Sequence, residues 1–326
     1  MKRIIALLLL APSAGFADAV SQSGNPIGTN RMELVWTVPS NHWPSTLWIY
    51  KVVPQNIAPP VISNLMAVGS FTKADRGKPY KRPPFKDDGL LFFRNKEDTR
   101  HLGISPYLGW IDYRDEQARA ERKVHPEGVP SEEQAYSMAL EFLRSFGIDR
   151  SQLATKGNTS DLRTYKDFRR KGWFDKSQNK EMEEITSRGV YFIRRIDGID
   201  FSGIGPLGGV YISFGNGGKL TDLNIIWKGL EPFELHNTLT AEQMLEAIRE
   251  GKTKWASSLP SRNGIKKITI TEVMTFYRGG AGDSERKFIE PFTLLATSVD
   301  YGTTNVIANL ECQILGARVQ IQSKEK

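Results

Sequence analysis

Residues 203–218 read GIGPLGGVYISFGNGG, and whichever element follows the first glycines decides the fold class. Gly203, Gly205 and Gly208 match G-x-G-x-x-G. In a dinucleotide-binding turn with that spacing, a helix starts within the glycines and offers its N-terminal amides to a pyrophosphate. Here Val210, Ile212 and Phe214 alternate with Tyr211 and Ser213 and run into Gly215-Asn216-Gly217-Gly218. Period-two alternation ending in a turn that needs positive φ specifies a strand and a hairpin. Pro206 also removes one backbone donor from the loop. Residues 189–227 therefore read as a β-meander, with Ile196-Asp197-Gly198 as another turn. No cofactor is expected, although a glycine-rich connection can still expose N–H groups to an anion.

On either side of this meander the chain repeats one grammar. Ser131 and Gln134 form a capping box behind Pro130, and Ala135, Met138, Ala139, Phe142, Leu143 and Phe146 fall on one face before Gly147. Thr240 and Gln243 do the same ahead of Met244, Leu245, Ile248 and Trp255. Each helix is followed by a polar, loop-rich stretch and then by β runs, which end in KLTDLNIIW after the first helix and in NVIANLECQILGARVQI after the second. This order predicts an α+β fold of repeated units, each a capped helix packed on an antiparallel β-meander, rather than a doubly wound parallel sheet. The expected modules are 129–238 and 239–326. Residues 18–128 form an N-terminal α+β module, for which a degenerate third copy is one reading. In it, MELVWTV, LWIYKVV, GLLFFRN and YLGWIDYR read as strands and about 61–69 as a helix. RDEQARAERK reads as a polar helix or a linker, and VHPEGVP as a boundary near 124–130.

The chain opens MKRIIALLLLAPSAGFADAV. Lys2 and Arg3 precede a short apolar run and the small-x-small Gly15-Phe16-Ala17, which is the pattern of a secretory signal peptide cleaved after Ala17. The run is about half of the roughly 20 residues a bilayer-spanning helix needs. The expectation is an exported protein, periplasmic or extracellular, without stable membrane insertion. Loss of Lys2 and Arg3 lowers the formal charge from +7 to +5. The densest basic stretch, KADRGKPYKRPPFKDD, is broken by prolines and closed by two aspartates, so no nucleic-acid partner is expected. The single cysteine, Cys312, excludes an internal disulfide and reads as a small buried apolar side chain.

No complete catalytic constellation is present, and no catalytic, cofactor-binding or metal residue is assigned. GGKL lacks the Ser or Thr of a P-loop, and EGKT has Glu246 in place of its first glycine. His42, His101, His125 and His236 share no metal-ligand spacing. There is no G-x-S-x-G elbow. Carboxylates pair as Asp87-Asp88, Asp112 with Asp115, and Asp197 with Asp200, the raw material of a glycosidase, though turn and surface roles explain them equally. Asn158-Thr159-Ser160 is a glycosylation sequon, which matters in a eukaryotic host.

The stretch GVYFIRRIDGIDFSGIGPLGGVYISFGNGGKLTDLNIIWKGLEPFELHNTLTAEQMLEAI resembles PepSY-type modules and the related extracytoplasmic YycI/YycH-type regulatory proteins. It has a strand with an xxDGI turn, a Gly-rich hairpin, a strand ending in Trp and a capped helix. The closing EVMTFYR, FIEPFTLLATSV and NVIANLECQI are similar to their last strands. The resemblance spans about 130–320 and implies PepSY- or cystatin-like units without enzymatic activity. This chain departs from those regulators in its cleavable leader, and from protease propeptides in lacking a protease behind it. The function expected is an exported, non-catalytic binding or regulatory protein acting on a protein or cell-envelope partner. The alternatives are a secreted hydrolase using Asp112, Asp115, Asp197 and Asp200, or a polymer-binding protein with a groove of exposed Trp among Trp36, Trp43, Trp48, Trp110 and Trp173.

Overall fold

A computed structural model of the chain describes residues 32–54, 57–77, 90–105, 109–116, 118, 128–156, 159–201, 209–257, 259, 264–278 and 287–319. The leader with its Ala17 cleavage position, Asp87-Asp88, His125, Asn158 and the glycines of 203–208 lie outside the described residues. The chain forms two compact units that do not follow its order. One takes its described residues from the chain up to Val38, from Thr240–Glu272 and from Leu295–Cys312; the other takes Pro39–Leu239, Val273–Leu294 and the residues after Gln313.

In the second unit the strands β3 (Leu91–Arg94), β4 (Arg100–Ser105), β5 (Trp110–Asp115), β6 (Thr164–Asp175), β7 (Lys180–Ile193), β10 (Gly209–Phe214) and β11 (Leu220–Ile226) form one sheet in the order β3-β4-β5-β11-β10-β7-β6. Helices α1 (Pro59–Val68) and α2 (Glu132–Ser145) share a core with it. The capping box of α2 forms as its sequence specifies: Ser131 Oγ accepts from the Gln134 amide, and Gln134 Oε1 from the Ser131 amide. Its buried stripe of Ala135, Ala139 and Leu143 meets Phe192, Val210, Ile212 and Leu223, all alternate residues of their strands. Each fully buried side chain of this size stabilises the fold by about 1.5–3 kcal/mol.

A smaller sheet in the same unit runs β15 (Phe288–Ile289), β2 (Thr46–Val53), β12 (Gly229–Thr238) and β18 (Leu315–Arg318). Between β7 and β10 the chain makes a two-residue hairpin of β8 (Arg195–Ile196) and β9 (Ile199–Phe201). Asp197 and Gly198 at its tip have φ of 48° and 77°, the left-handed pair a tight hairpin requires. β9 pairs in parallel with the end of β14 (Lys267–Tyr277).

In the first unit β1 (Glu33–Trp36) pairs in parallel with Lys267–Ile270 of β14. β13 (Lys254–Trp255) pairs with β17 (Asn305–Cys312), which is followed in the sheet by β16 (Pro291–Asp300) and β14. Helix α3 (Ala241–Arg249) carries its own capping box, Thr240 with Gln243, and buries Met244 and Ile248. Ile268, Ile270, Leu295, Val299, Leu310 and Cys312 are buried with them.

The expected repeat of one capped helix on an antiparallel meander is not what the chain builds. The described residues hold eighteen strands and three α-helices, in sheets of seven, seven and four strands. The fold is mostly β, and the PepSY- or cystatin-like unit is corrected accordingly. Local hairpin signals specify which strands exist but not their distant partners. Strand β5 pairs with β11, uniting residues on both sides of the expected boundary near 124–130 in one sheet. The parallel pairings of β14 with β1 and β9 have no place in an antiparallel meander.

Candidate functional site

Val210–Phe214 pair as a strand, Val210 with Phe192 and Ile225 and Phe214 with Arg188 and Leu220. No helix therefore begins at the glycines to hold a pyrophosphate. Gly217 and Gly218 at the next turn have φ of 65° and 70°, as that hairpin needs.

The aspartates are all bound to neighbours. Asp112 is 3.3 Å from the Arg114 Nε and accepts from the Asn224 amide at 3.2 Å. Asp115 accepts from the Ala118 N–H at 2.7 Å and from the Tyr113 hydroxyl at 3.5 Å. Asp200, with its side chain 9% exposed, takes the Arg195 Nε at 2.6 Å on one oxygen and the Arg163 Nη2 at 2.8 Å on the other. Asp197 accepts the Tyr50 hydroxyl proton. A hollow of about 510 Å³ between the start of α2 and the 217–218 turn is lined by Gly128, Pro130, Glu133, Gln134, Met138 and neighbouring residues, none of them these aspartates.

The hairpin of Asp197 and Asp200 lies beside a buried cation. Arg194 donates from Nη1 to the Lys228 carbonyl at 2.8 Å, and its guanidinium sits 4.6 Å from the Trp227 ring and 5.4 Å from Phe201. Burial lowers it to about 10, which leaves it charged at neutral pH. Burial likewise raises the hydroxyls of Tyr50 and Tyr277 well above the usual range, aided at Tyr50 by the bond to Asp197. The two rings meet edge-on at 5.4 Å, and Tyr277 donates to the Trp48 carbonyl at 3.0 Å. Arg194 and Lys228 are themselves buried. The cluster locks β2, β8, β9 and the end of β14 to one another.

His42 is exposed, His101 is 3.5 Å from Asp98, and His236 bridges the Gly316 carbonyl and Glu234, 3.1 Å from each. Among the described residues no three His, Cys, Asp or Glu stand together as metal ligands. Cys312 is buried, which pushes its thiol up to about 11. No described helix is long and apolar enough to cross a membrane. Trp36, Trp43, Trp48, Trp110 and Trp173 are each partly buried. The Trp36 and Trp43 indoles donate to the Val38 and Leu239 carbonyls. Trp110 lies against Gly103, where a Cβ would come within 2.7 Å of its ring.

The feature the sequence reading passed over is TYKDFRRKGWFD at 164–175, taken as polar loop. It is β6, paired with β7 along its whole length. β10 covers the other side of β7 only from Arg188 to Ile193. Beyond Arg170 and Ile185 the two strands thus continue as a ribbon, and among the described residues no strand pairs with the outer edge of β6. Asp175 closes the tip by accepting from the amides of Ser177 and Gln178 and from the Ser177 hydroxyl, bonds that hold its carboxyl below the usual range. Alternation places Phe168, Arg170, Gly172 and Phe174 on one face. Phe168 is 42% and Phe174 54% exposed. The Arg170 guanidinium lies 4.3 Å over the Phe168 ring and 2.8 Å from Glu183. A hollow of about 600 Å³ at the tip is lined by Gly172, Trp173, Phe174, Glu181, Met182 and Glu183. Aromatic runs flanking the turn DKSQNK were the available signal.

No family model and no curated protein matches the chain. Among solved structures it is similar to an uncharacterized protein from Eubacterium rectale, with 10% identity, a TM-score of 0.46, and 89% of this chain and 90% of that chain covered.

Proposed function

We infer that the protein is an exported, non-catalytic binding protein that engages a protein or envelope partner through the β6–β7 ribbon. One observation carries this reading: the distal ribbon has an unpaired edge and presents Phe168 and Phe174 to solvent. Exposed aromatics beside an open strand edge are what β-addition by a partner uses. The leader supports export, and the engagement of Asp112, Asp115, Asp197 and Asp200 in local bonds favours binding over hydrolysis.

The test is in-cell crosslinking of the exported protein, wild type against Phe168→Ser with Phe174→Ser. A protein captured by the wild type and lost from the double variant supports the reading. Capture undiminished by the double variant, or hydrolysis of an envelope polymer abolished by Asp200→Asn without unfolding, overturns it. A second reading, an envelope glycan as ligand, is favoured by the tip hollow, where Trp173 and Phe174 stand beside Glu181 and Glu183. It predicts retention on insoluble cell-wall polymer that Phe174→Ser abolishes.

A further inference from the structure

The ribbon's own sequence suggests what lies along its open edge. A two-stranded ribbon is marginal in water without a third strand, and an incoming strand is chosen by the residues it sets directly opposite. Two copies related by a twofold axis can pair β6 with β6 antiparallel, and each register is then defined by the residue at the axis. With Arg170 at the axis, Arg170 faces itself. With Lys171 there, Lys171 faces itself and Asp167 faces Asp175. With Trp173 there, Arg170 faces Lys176. With Gly172 at the axis none of these conflicts arises. Arg169 then stands opposite Asp175 of the second copy, Arg170 opposite its Phe174, Lys171 opposite its Trp173, and Phe168 opposite its Lys176. Each cation opposes a carboxylate or an aromatic ring, both favourable neighbours. Gly172 is also open on its outer side: a Cβ there would find only the Met182 carbonyl, at 3.8 Å.

We propose that the protein self-associates as a twofold dimer in which the β6 edges of two copies pair antiparallel about Gly172. The pairing closes on itself, so it yields dimers and not filaments, and it covers the edge that would otherwise invite indiscriminate strand addition. It rests on the reading of the ribbon as a docking element and makes a second copy its occupant.

Sedimentation of the mature chain at low to high micromolar concentration should show a concentration-dependent dimer. Gly172→Cys should oxidise to a covalent dimer about tenfold or more faster than Gln178→Cys at the tip, because pairing raises the local thiol concentration. Only this register brings the two Cα atoms of residue 172 within disulfide range. The buried Cys312 leaves the assay clean. Arg169→Glu and Asp175→Lys should each sediment as monomers, and an equimolar mixture should dimerise, since both opposed pairs become complementary in the heterodimer. A wild-type monomer at every concentration, equal oxidation of the two cysteine variants, or an unrescued mixture overturns the proposal. If the wild type is monomeric yet the Phe168/Phe174 double variant loses its captured partner, self-pairing alone fails. If that variant keeps its partner, the docking reading fails as well.

Discussion

The two halves of the β6–β7 ribbon share one hydrogen-bonded ladder and differ in almost everything else. In the proximal half, Thr164–Arg169 with Ser187–Ile193, β10 adds a third strand, and Val190 and Phe192 join the core that α2 completes. The Phe192 and Tyr136 rings lie 6.0 Å apart there. In the distal half, Arg170–Asp175 with Lys180–Ile185, neither a third strand nor a helix is present among the described residues, and Phe174 is more than half exposed. Backbone pairing is therefore not what separates structure from surface in this molecule. The separation comes from whether a second layer removes the side chains from water, since net hydrogen-bond stabilisation is only about 0.5–1.5 kcal/mol per bond.

The sharpest way to break the comparison is to truncate one phenylalanine in each half. Phe192→Ala should cost about 3–5 kcal/mol in urea unfolding, the loss for a large aromatic from a closed core. Phe174→Ala should stay within about 0.5 kcal/mol, as an exposed substitution does. Comparable losses would mean that the distal half is buried in solution. The same contrast holds for charge. Asp200→Asn strips a nearly buried carboxylate from Arg163 and Arg195 and should cost about 2–3 kcal/mol, measured by the same unfolding, because the bonds lost are charge-assisted. A loss under about 0.5 kcal/mol would place that hairpin among surface ion pairs.

A smaller effect separates two glycines of the ribbon. At Gly189 a Cβ would come within 2.6 Å of the Tyr211 ring, which is held by Asp167 at 3.1 Å and packed against Tyr191. Gly189→Ala should therefore cost about 1–3 kcal/mol through overpacking. Gly172→Ala meets no obstacle and should gain about 0.5 kcal/mol, since glycine is the poorer strand residue. Both values come from denaturant midpoints at constant slope.

The same contrast sets what could be read in the sequence. Elements whose cause is local were legible: the capping boxes at Ser131 and Thr240, the Asp197-Gly198 hairpin, and the strand after Gly208. Pairings whose cause is distant were not. Nothing within β5 specifies β11 as its neighbour, and nothing near Glu33 specifies Lys267. Strand β6 was lost for another reason: an edge strand outside the core has no apolar alternation to display, because neither of its distal faces is buried. At the candidate sites, Asp197, Asp200 and Trp173 were named as residue types able to do chemistry. Tyr50, Arg163 and Arg195, which bind the two aspartates, come from segments that only folding brings together.

The smallest effect concerns Arg170 and Glu183. They lie 2.8 Å apart, and each side chain is about half exposed, 52% and 51%. A double-mutant cycle of Arg170→Ala and Glu183→Ala should give a coupling of about 0.2–1 kcal/mol at low salt, fading as ionic strength shortens the Debye length. Arg170 also stacks on Phe168, so Arg170→Ala should cost slightly more than Glu183→Ala, and that excess should survive added salt because it comes from packing. A coupling well above this range, insensitive to salt, would show the pair shielded from water. In a ribbon with open edges that shielding has to come from another strand, so the cycle run below and above the dimerisation concentration separates a bare ribbon from a covered one.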